Sequence, residues 1–241
     1  MAYCLKNSNS IFVNNNKLFI SDAITYSFVA NVSGTFSNPY SVTIDAPNNR
    51  FFVTNYAANT VAIYNLTTLA FVANVSGTFS NPYSVTIDAP NNRFFVTNYA
   101  ANTVAIYNLT TLAFVANVSG TFSNPIAVTI DAPNNRFFVT NYAANTVAIY
   151  NLTTLAFVAN VSGTFSNPIA VTIDAPNNRF FVTNYAANTV AIYNLTTLAF
   201  VANVSGTFSN PIAVTIDAPN NRFFVTNAAA NTVDIYNFNY R

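Results

Sequence analysis

Short apolar runs separated by turn-forming residues make up almost the whole chain. The stretch from 38 to 80 contains four such runs: YSVTID at 40–45, FFVTN at 51–55, TVAIYN at 60–65 and LAFVANV at 69–75. Val, Ile, Phe, Tyr and Thr dominate them, and these residues favour β-strands. The breaks carry Pro, Gly and Asn, which favour turns. Because the apolar residues do not keep a helical period, the pattern predicts an all-β protein.

The pattern repeats at a fixed spacing. The segment IDAPNNRFFVTN starts at Ile44 and returns unchanged at Ile87, 43 residues later, and again at 130, 173 and 216. Four short antiparallel strands in a unit of about this length are typical of a β-propeller blade. The sequence therefore predicts a propeller built from nearly identical blades.

The strands are apolar on both of their faces. In the second strand, Phe51 and Val53 point one way while Phe52 and Thr54 point the other, so neither face suits water. The burial available inside one unit does not offset the entropy of ordering its backbone. We therefore expect each blade to need a neighbour on both sides, as a closed ring provides.

The repeats divide the chain into a single propeller domain, 1–241. Repeat blades are expected at 38–80, 81–123, 124–166 and 167–209, and a last blade without its fourth strand at 210–241. Residues 1–37 are predicted to form a divergent, shortened blade, because KLFISD at 17–22 aligns with TVAIYN at 60–65. This interpretation favours six blades.

An alternative uses the N-terminal segment differently. Residues 25–32 read as a fourth strand, and if they complete the last blade the ring has five blades and closes by strand exchange. An incomplete last blade also leaves an unpaired edge, which invites pairing with another chain. The oligomeric state is therefore expected to be a monomer, or a dimer formed through that blade.

The segment FFVTNYAANTVAIYN at 51–65 resembles the repeat of the YVTN family of β-propellers, whose signature strand corresponds to FVTN at 52–55. The likeness covers residues 38–241, and VTIDAPNNR is similar to the family's strand–turn segment of type AVSPDGR. Asn48 and Asn49 replace the usual Gly and Asp of that turn. The resemblance implies the propeller scaffold and no particular activity.

Composition narrows the possible functions. Charged residues are 6% of the chain and the net charge is +1, so no nucleic-acid partner is expected. The apolar runs are too short to span a membrane. No secretory signal is recognisable, and the default expectation is a cytoplasmic protein. His and Glu are absent and Cys4 is the only cysteine, so we expect no catalytic triad, metal site or cofactor, and no enzyme.

The charged residues recur in one turn. Asp45 and Arg50 bracket APNN between the first and second strands of the unit. We interpret them as an exposed structural pair that contributes at most about 1 kcal/mol to the free energy of unfolding.

Tyrosines supply the candidate binding surface. Strand direction alternates, so the YAAN and VSGTFSNP links share one face of the propeller. The YAAN link carries one tyrosine in each unit except the last, in which Ala228 takes its place. At the start of the innermost strand, tyrosine in the first two units gives way to Ile126 and its copies. The candidate ligand-binding residues are Tyr56, Tyr99, Tyr142, Tyr185, Tyr40 and Tyr83. Phe36 and its copies lie on the same face and are predicted to fill gaps between blades.

An aromatic, uncharged face suits a protein, a peptide or a sugar. The leading hypothesis is a non-enzymatic scaffold that binds a protein or peptide through this face. One alternative is a multivalent lectin with one sugar per blade. Another is a recently amplified or engineered ring that has no evolved ligand, because the copies are so alike.

Overall fold

The computed structural model describes residues 3–4, 9–14, 17–22 and 30–238. Its contacts divide the chain into two compact units, Met1–Gly34 and Thr35–Arg241. The first unit contains an antiparallel sheet of three strands in chain order: β1 (Tyr3–Cys4), β2 (Asn9–Asn14) and β3 (Lys17–Asp22). The second unit contains five further antiparallel sheets, which are the blades of a propeller.

Each blade is a meander whose strands pair in chain order. Blade 1 consists of β4 (Pro39–Asp45), β5 (Arg50–Asn55), β6 (Thr60–Asn65) and β7 (Phe71–Val75). Blade 2 consists of β8 (Pro82–Asp88), β9 (Arg93–Asn98), β10 (Thr103–Asn108) and β11 (Phe114–Val118). Blade 3 consists of β12 (Pro125–Asp131), β13 (Arg136–Asn141), β14 (Thr146–Asn151) and β15 (Phe157–Val161).

The last two blades differ in strand number. Blade 4 consists of β16 (Pro168–Asp174), β17 (Arg179–Asn184), β18 (Thr189–Asn194) and β19 (Phe200–Val204). Blade 5 consists of β20 (Pro211–Asp217), β21 (Arg222–Asn227) and β22 (Thr232–Asn237) only. Among the described residues, the sheet of blade 5 contains these three strands, and the predicted domain boundaries stay a prediction.

The favoured count of six blades was wrong, because the propeller has five. The strand at 17–22 exists and pairs with β2, but it belongs to the separate unit that ends at Gly34. Residues 1–37 lack the Asp-Ala-Pro-Asn-Asn-Arg turn that every blade carries. The predicted fourth strand at 25–32 lies largely outside the described residues, and 30–32 are not in a strand.

Local turns explain why these segments form a blade. After β4, Ala46–Asn48 form one turn of 3₁₀-helix, and Asn49 ends it with a left-handed φ of 53°, a conformation that Asn tolerates. After β6, the side chain of Asn65 accepts hydrogen bonds from the backbone N–H groups of Thr67 and Thr68, at 3.0 and 2.8 Å. This is the Asx turn that the NLTT sequence predicts.

The core lies between blades. Phe52, Val61 and Ile63 of blade 1 pack against Phe94 and Val96 of blade 2, and the rings of Phe52 and Phe94 are 5.1 Å apart. The same cluster recurs between blades 2 and 3 and between blades 3 and 4. The prediction that both faces of a blade are dry is therefore confirmed for blades 2, 3 and 4, each of which lies between two other blades.

The two end blades do not follow that prediction. On blade 1, Val42 is 66% exposed, and on blade 5, Val233 is 58% exposed. Their equivalents inside the row are buried, because each of them has another blade in front of it. The prediction that both faces are dry therefore does not hold for these sides of blades 1 and 5, and closure of the ring stays a prediction.

Polar contacts repeat across the blade interfaces. The hydroxyl of Thr54 donates to the backbone carbonyl of Tyr83 in blade 2 at 2.9 Å, and Thr97 donates in the same way to Ile126 at 2.7 Å. These bonds join the second strand of one blade to the innermost strand of the next. They fix the position of each blade relative to the next one. Apolar packing alone does not fix it, because apolar contacts are not directional.

The Asp–Arg pair is buried, contrary to the expectation of an exposed pair. Asp131 is 1% exposed, and its carboxylate accepts a hydrogen bond from Arg136 Nη2 at 2.8 Å and two from the Asn134 amide. The same guanidinium donates to the carbonyl of Leu195 in the next blade at 2.9 Å. The neighbouring blade covers the turn, which turn sequence alone does not indicate.

We predict that Arg136→Ala lowers the free energy of unfolding by about 3 kcal/mol, because it leaves the Asp131 carboxylate buried without its cation. Chemical denaturation of the full chain measures this. Arg222→Ala in blade 5 is the matched control: its pair with Asp217 is more exposed, at 39% and 24% of the side chains. If Arg222→Ala lowers the free energy of unfolding as much as Arg136→Ala does, burial of the Asp131–Arg136 pair between blades is not the source of its stabilising effect.

Candidate functional site

The five innermost strands meet around one axis. Each begins at the Pro of an Asn-Pro pair, and the preceding Asn38 has a left-handed φ of 50° that turns the chain toward the axis. The residue after the Pro then faces the central opening. These residues are Tyr40, Tyr83, Ile126, Ile169 and Ile212.

A second set of residues reaches the same opening from the link after the second strand. The backbone N–H of Tyr56 donates to the carbonyl of Asn38 in its own blade at 3.0 Å. The side chain of Asn81, in the next blade, donates to the carbonyl of Tyr56 at 3.1 Å. Two blades therefore hold the backbone of Tyr56, so its ring projects from a supported position rather than from a free loop.

Together the two sets line one cavity of about 420 Å³, which we call the tyrosine funnel. Its walls are Tyr40, Tyr56, Tyr83, Tyr99, Tyr142 and Tyr185 together with Ile126, Ile169, Ile212 and Ala228. The structure thus brings all six tyrosines predicted from the sequence into one place. That they bind a ligand stays a prediction.

The aromatic rings are concentrated on one side of the funnel. Tyr40 lies 4.4 Å from Tyr83 and 5.0 Å from Tyr56, measured between ring centroids. Tyr99 lies 6.2 Å from Tyr83 and extends the group. Blades 3 and 4 each contribute one tyrosine and one isoleucine, and blade 5 contributes Ile212 and Ala228. The funnel is therefore asymmetric: blades 1 and 2 contribute two tyrosines each, blades 3 and 4 one each, and blade 5 none.

Below the funnel, the opening narrows into a channel of about 250 Å³. Ser41 and Ser84 line it in the first two blades, and Ala127, Ala170 and Ala213 line it in the others. The Tyr-Ser to Ile-Ala substitutions between copies therefore change one sector of the axis in both layers. This agrees with the prediction that they lie near the axis.

Burial is the main cause that raises the pKa of Tyr83 from 10.0 to about 12. The neighbouring phenols Tyr40, Tyr56, Tyr99 and Tyr142 contribute to the same rise, because they oppose a second negative charge. Burial is also the main cause of the raised pKa of Tyr99. The residues that line the funnel include no Asp, Lys or Arg. A charged ligand finds no counter-ion in these walls.

The phenylalanines of the VSGTFSNP link behave as predicted and stay out of the funnel. Phe79 is buried, and its ring lies 5.2 Å from that of Tyr107. Thr78 forms a hydrogen bond with the hydroxyl of Tyr107 in the same region. This group fills the outer part of a blade interface and has a structural role.

Two features of the site were not predicted. The direct contact between the rings of Tyr40 and Tyr83 depends on the distance between neighbouring innermost strands. That distance cannot be predicted from the number of residues between the two tyrosines. A small cavity of about 180 Å³ lies on blade 1, between Pro39, Tyr40, Ser41, Val42 and Val53. All of its lining residues belong to that one blade.

Two solved structures share this fold. A functionally unknown protein from Desulfotomaculum acetoxidans superposes with a TM-score of 0.74 at 14% identity, covering 95% of this chain and 75% of its own. Hydrazine synthase from Kuenenia stuttgartiensis gives a TM-score of 0.72 at 14% identity over 84% of this chain. This chain spans 59% of the length of that synthase chain. Likeness at such low identity shows the β-propeller fold alone.

No family model and no curated protein matches the sequence, so the resemblance to the YVTN family is not confirmed. Among the residues that the structure describes, no helix is long and apolar enough to cross a membrane.

We predict that Tyr83 ionises at about pH 12 when pH is raised, later than the ordinary tyrosine pKa of 10.0. A phenol whose pKa is higher in the folded than in the unfolded state holds its proton more tightly when folded. The stability that this gives is complete below pH 10.0 and is lost as pH rises to about 12. Tyrosinate absorbance of the wild type and of Tyr83→Phe measures it. If the late step persists in Tyr83→Phe, it belongs to another residue.

Proposed function

We propose that this propeller is a non-enzymatic scaffold that binds an uncharged, extended segment of a partner protein or peptide in the tyrosine funnel. The observation that carries the proposal is the convergence of six tyrosines on one axial cavity of about 420 Å³. Tyrosine combines a large apolar ring with a hydroxyl, which suits it to protein-binding surfaces. The volume is in the usual range for ligand pockets.

The chemistry of the funnel walls supports a binding role. They contain phenols, isoleucines and one alanine, and no carboxylate, imidazole, thiol or amine stands among them to activate a phenol. The interactions that these walls offer to a ligand are ring stacking and hydrogen bonds from hydroxyl groups. Both hold a ligand without changing it chemically. The backbone bonds that fix Tyr56 keep the surface preorganised, which reduces the entropy lost on binding.

The single axial cavity favours a peptide over the lectin alternative. A repeat lectin needs an equivalent site on each blade, so that weak sites add up. Here the tyrosines of different blades share one cavity, and Tyr40 and Tyr83 have isoleucine as their counterparts elsewhere. One asymmetric ligand fits this arrangement better than five equal ones. Membership of the YVTN family is part of the proposal and is supported by the FVTN sequence in β5 and its copies.

The remaining alternative is an amplified or engineered ring without an evolved ligand. Substitutions between the copies are few, and those at Tyr40, Tyr83 and Ala228 fall in the funnel. We infer that this sector has diverged for a binding purpose.

We predict that a displayed library of unstructured peptides, selected on the full-length chain, yields ligands that need the aromatic side of the funnel. Tyr40→Ala and Tyr83→Ala should each weaken binding by at least about tenfold, as expected for central aromatic contacts. Isothermal titration measures the affinity. Phe157→Ala is the control, because Phe157 is 48% exposed, close to the 52% of Tyr40, and lies on an outer strand of blade 3.

Three outcomes separate the candidates. Loss of peptide binding in the tyrosine variants but not in Phe157→Ala supports the proposal. Binding of a glycan at several sites per chain, with no selected peptide, would favour the lectin. If neither peptides nor glycans bind, the ring without an evolved ligand is the better account.

A further inference from the structure

Four of the funnel tyrosines touch one another. Measured between ring centroids, Tyr40 lies 4.4 Å from Tyr83 and 5.0 Å from Tyr56, and Tyr99 lies 6.2 Å from Tyr83 and 6.3 Å from Tyr56. Rings this close to each other leave no space for a ligand between them, so a ligand must lie across their outer surfaces. We call these four residues the tyrosine platform.

The polar groups that the funnel side chains offer are all of one kind. Besides the tyrosines, the lining consists of three isoleucines and Ala228, so its polar side-chain atoms are phenol hydroxyls. Each hydroxyl has one hydrogen to donate. A ligand that suits this lining therefore presents mostly apolar surface and carries a few hydrogen-bond acceptors.

A proline-rich segment has this combination. Each prolyl residue carries an apolar ring and a backbone carbonyl that accepts, and it has no backbone N–H. Any other residue brings an N–H group that needs an acceptor once it is buried. A sugar brings several hydroxyls on each ring, and those that face the isoleucines would be buried without partners.

The spacing of the platform rings also fits such a segment. A polyproline II helix rises about 3.1 Å per residue, so rings 4.4 to 6.3 Å apart match prolines that are about one to two residues apart. Successive prolyl rings point in different directions around that helix. The platform rings also differ in direction, since the plane of Tyr40 is tilted by 42° to that of Tyr83 and by 46° to that of Tyr56.

We propose that the tyrosine funnel binds a proline-rich segment in the polyproline II conformation. Its prolyl rings lie on the tyrosine platform, and its carbonyls accept hydrogen bonds from the phenol hydroxyls. This inference rests on the proposed function, because it names the class of peptide that the same site takes. A polyproline II segment is already ordered before it binds, so it loses little conformational entropy in the funnel.

The probe is decaproline with blocked, uncharged termini and a fluorescent label, titrated with the full-length chain. We expect a Kd on the order of 100 µM, as for a small interface formed by a pre-ordered peptide. Fluorescence anisotropy measures it. An uncharged peptide of ten alternating Gly and Ser residues is flexible and has no prolyl rings, so it should bind at least about tenfold more weakly.

The repeats supply substitutions that the fold already accepts. Isoleucine occupies the position of Tyr83 in blades 3 to 5, and Ala228 occupies the position of Tyr99 in blade 5. Tyr83→Ile and Tyr99→Ala should therefore fold, and each should weaken decaproline binding at least about tenfold because a platform ring is lost. Tyr83→Phe keeps the ring and should weaken binding about two- to tenfold, the equivalent of one hydrogen bond.

Two further variants locate the contact. Tyr185→Ala makes the same change as Tyr99→Ala, but Tyr185 lies in blade 4 and outside the platform, so it should weaken binding less than Tyr99→Ala does. Phe157→Ala changes an exposed aromatic residue on an outer strand and should leave binding unchanged. Equal losses in Tyr99→Ala and Tyr185→Ala would contradict the role of the platform.

Decaproline binding that Tyr83→Ile weakens and Phe157→Ala does not would establish the inference. If the selected library peptides need Tyr40 and Tyr83 but contain no proline, and decaproline does not bind, this inference is overturned and the proposed function stands. If no peptide of either kind binds, both fail. Binding of an uncharged oligosaccharide such as cellohexaose in the funnel, without binding of decaproline, would also overturn it and would assign the site to a sugar.

Discussion

The contact between neighbouring blades is the interaction on which this structure depends. A single repeat has two apolar faces and hardly any interior, so its burial comes from the blades beside it. The clusters that join Phe52 to Phe94 and their copies supply that burial. The Thr54-type and Arg136-type bonds set the alignment of each blade on the next. The funnel follows from that alignment, because its walls come from all five blades.

Repetition explains both the regularity of the fold and its weak point. Four copies of one interface need only one set of complementary residues, so amplifying a single repeat produces a stable row. The first and last blades have only one repeat blade beside them. Val42 and Val233 are exposed although their sequence context is that of a core residue. A repeat protein must cap or fill such ends. In the described part of the chain, the hydroxyl of Thr226 in blade 5 is buried and has no hydrogen-bond partner.

Much of this was predictable from the sequence, because strand pattern and repeat length are local properties. Three of the four strands of a unit were predicted to within a residue, and the fourth starts at Phe71 rather than Leu69, since Leu69 adopts a left-handed φ of 58° in the turn. Convergence of the tyrosines was also predictable, because chain direction alternates from strand to strand. The burial of Asp131 and the blade count were not, since both depend on which neighbour is present.

The most direct test of the central claim is amide hydrogen exchange on the full-length chain, compared between β14 and β22. These strands have nearly the same sequence, TVAIYN and TVDIYN, but β14 is buried between two repeat blades, whereas β22 is largely exposed. If packing between blades provides the stability, amides of β14 should exchange at least about a hundredfold more slowly than those of β22. Equal protection of the two strands would show that each blade is stable by itself and would contradict the account.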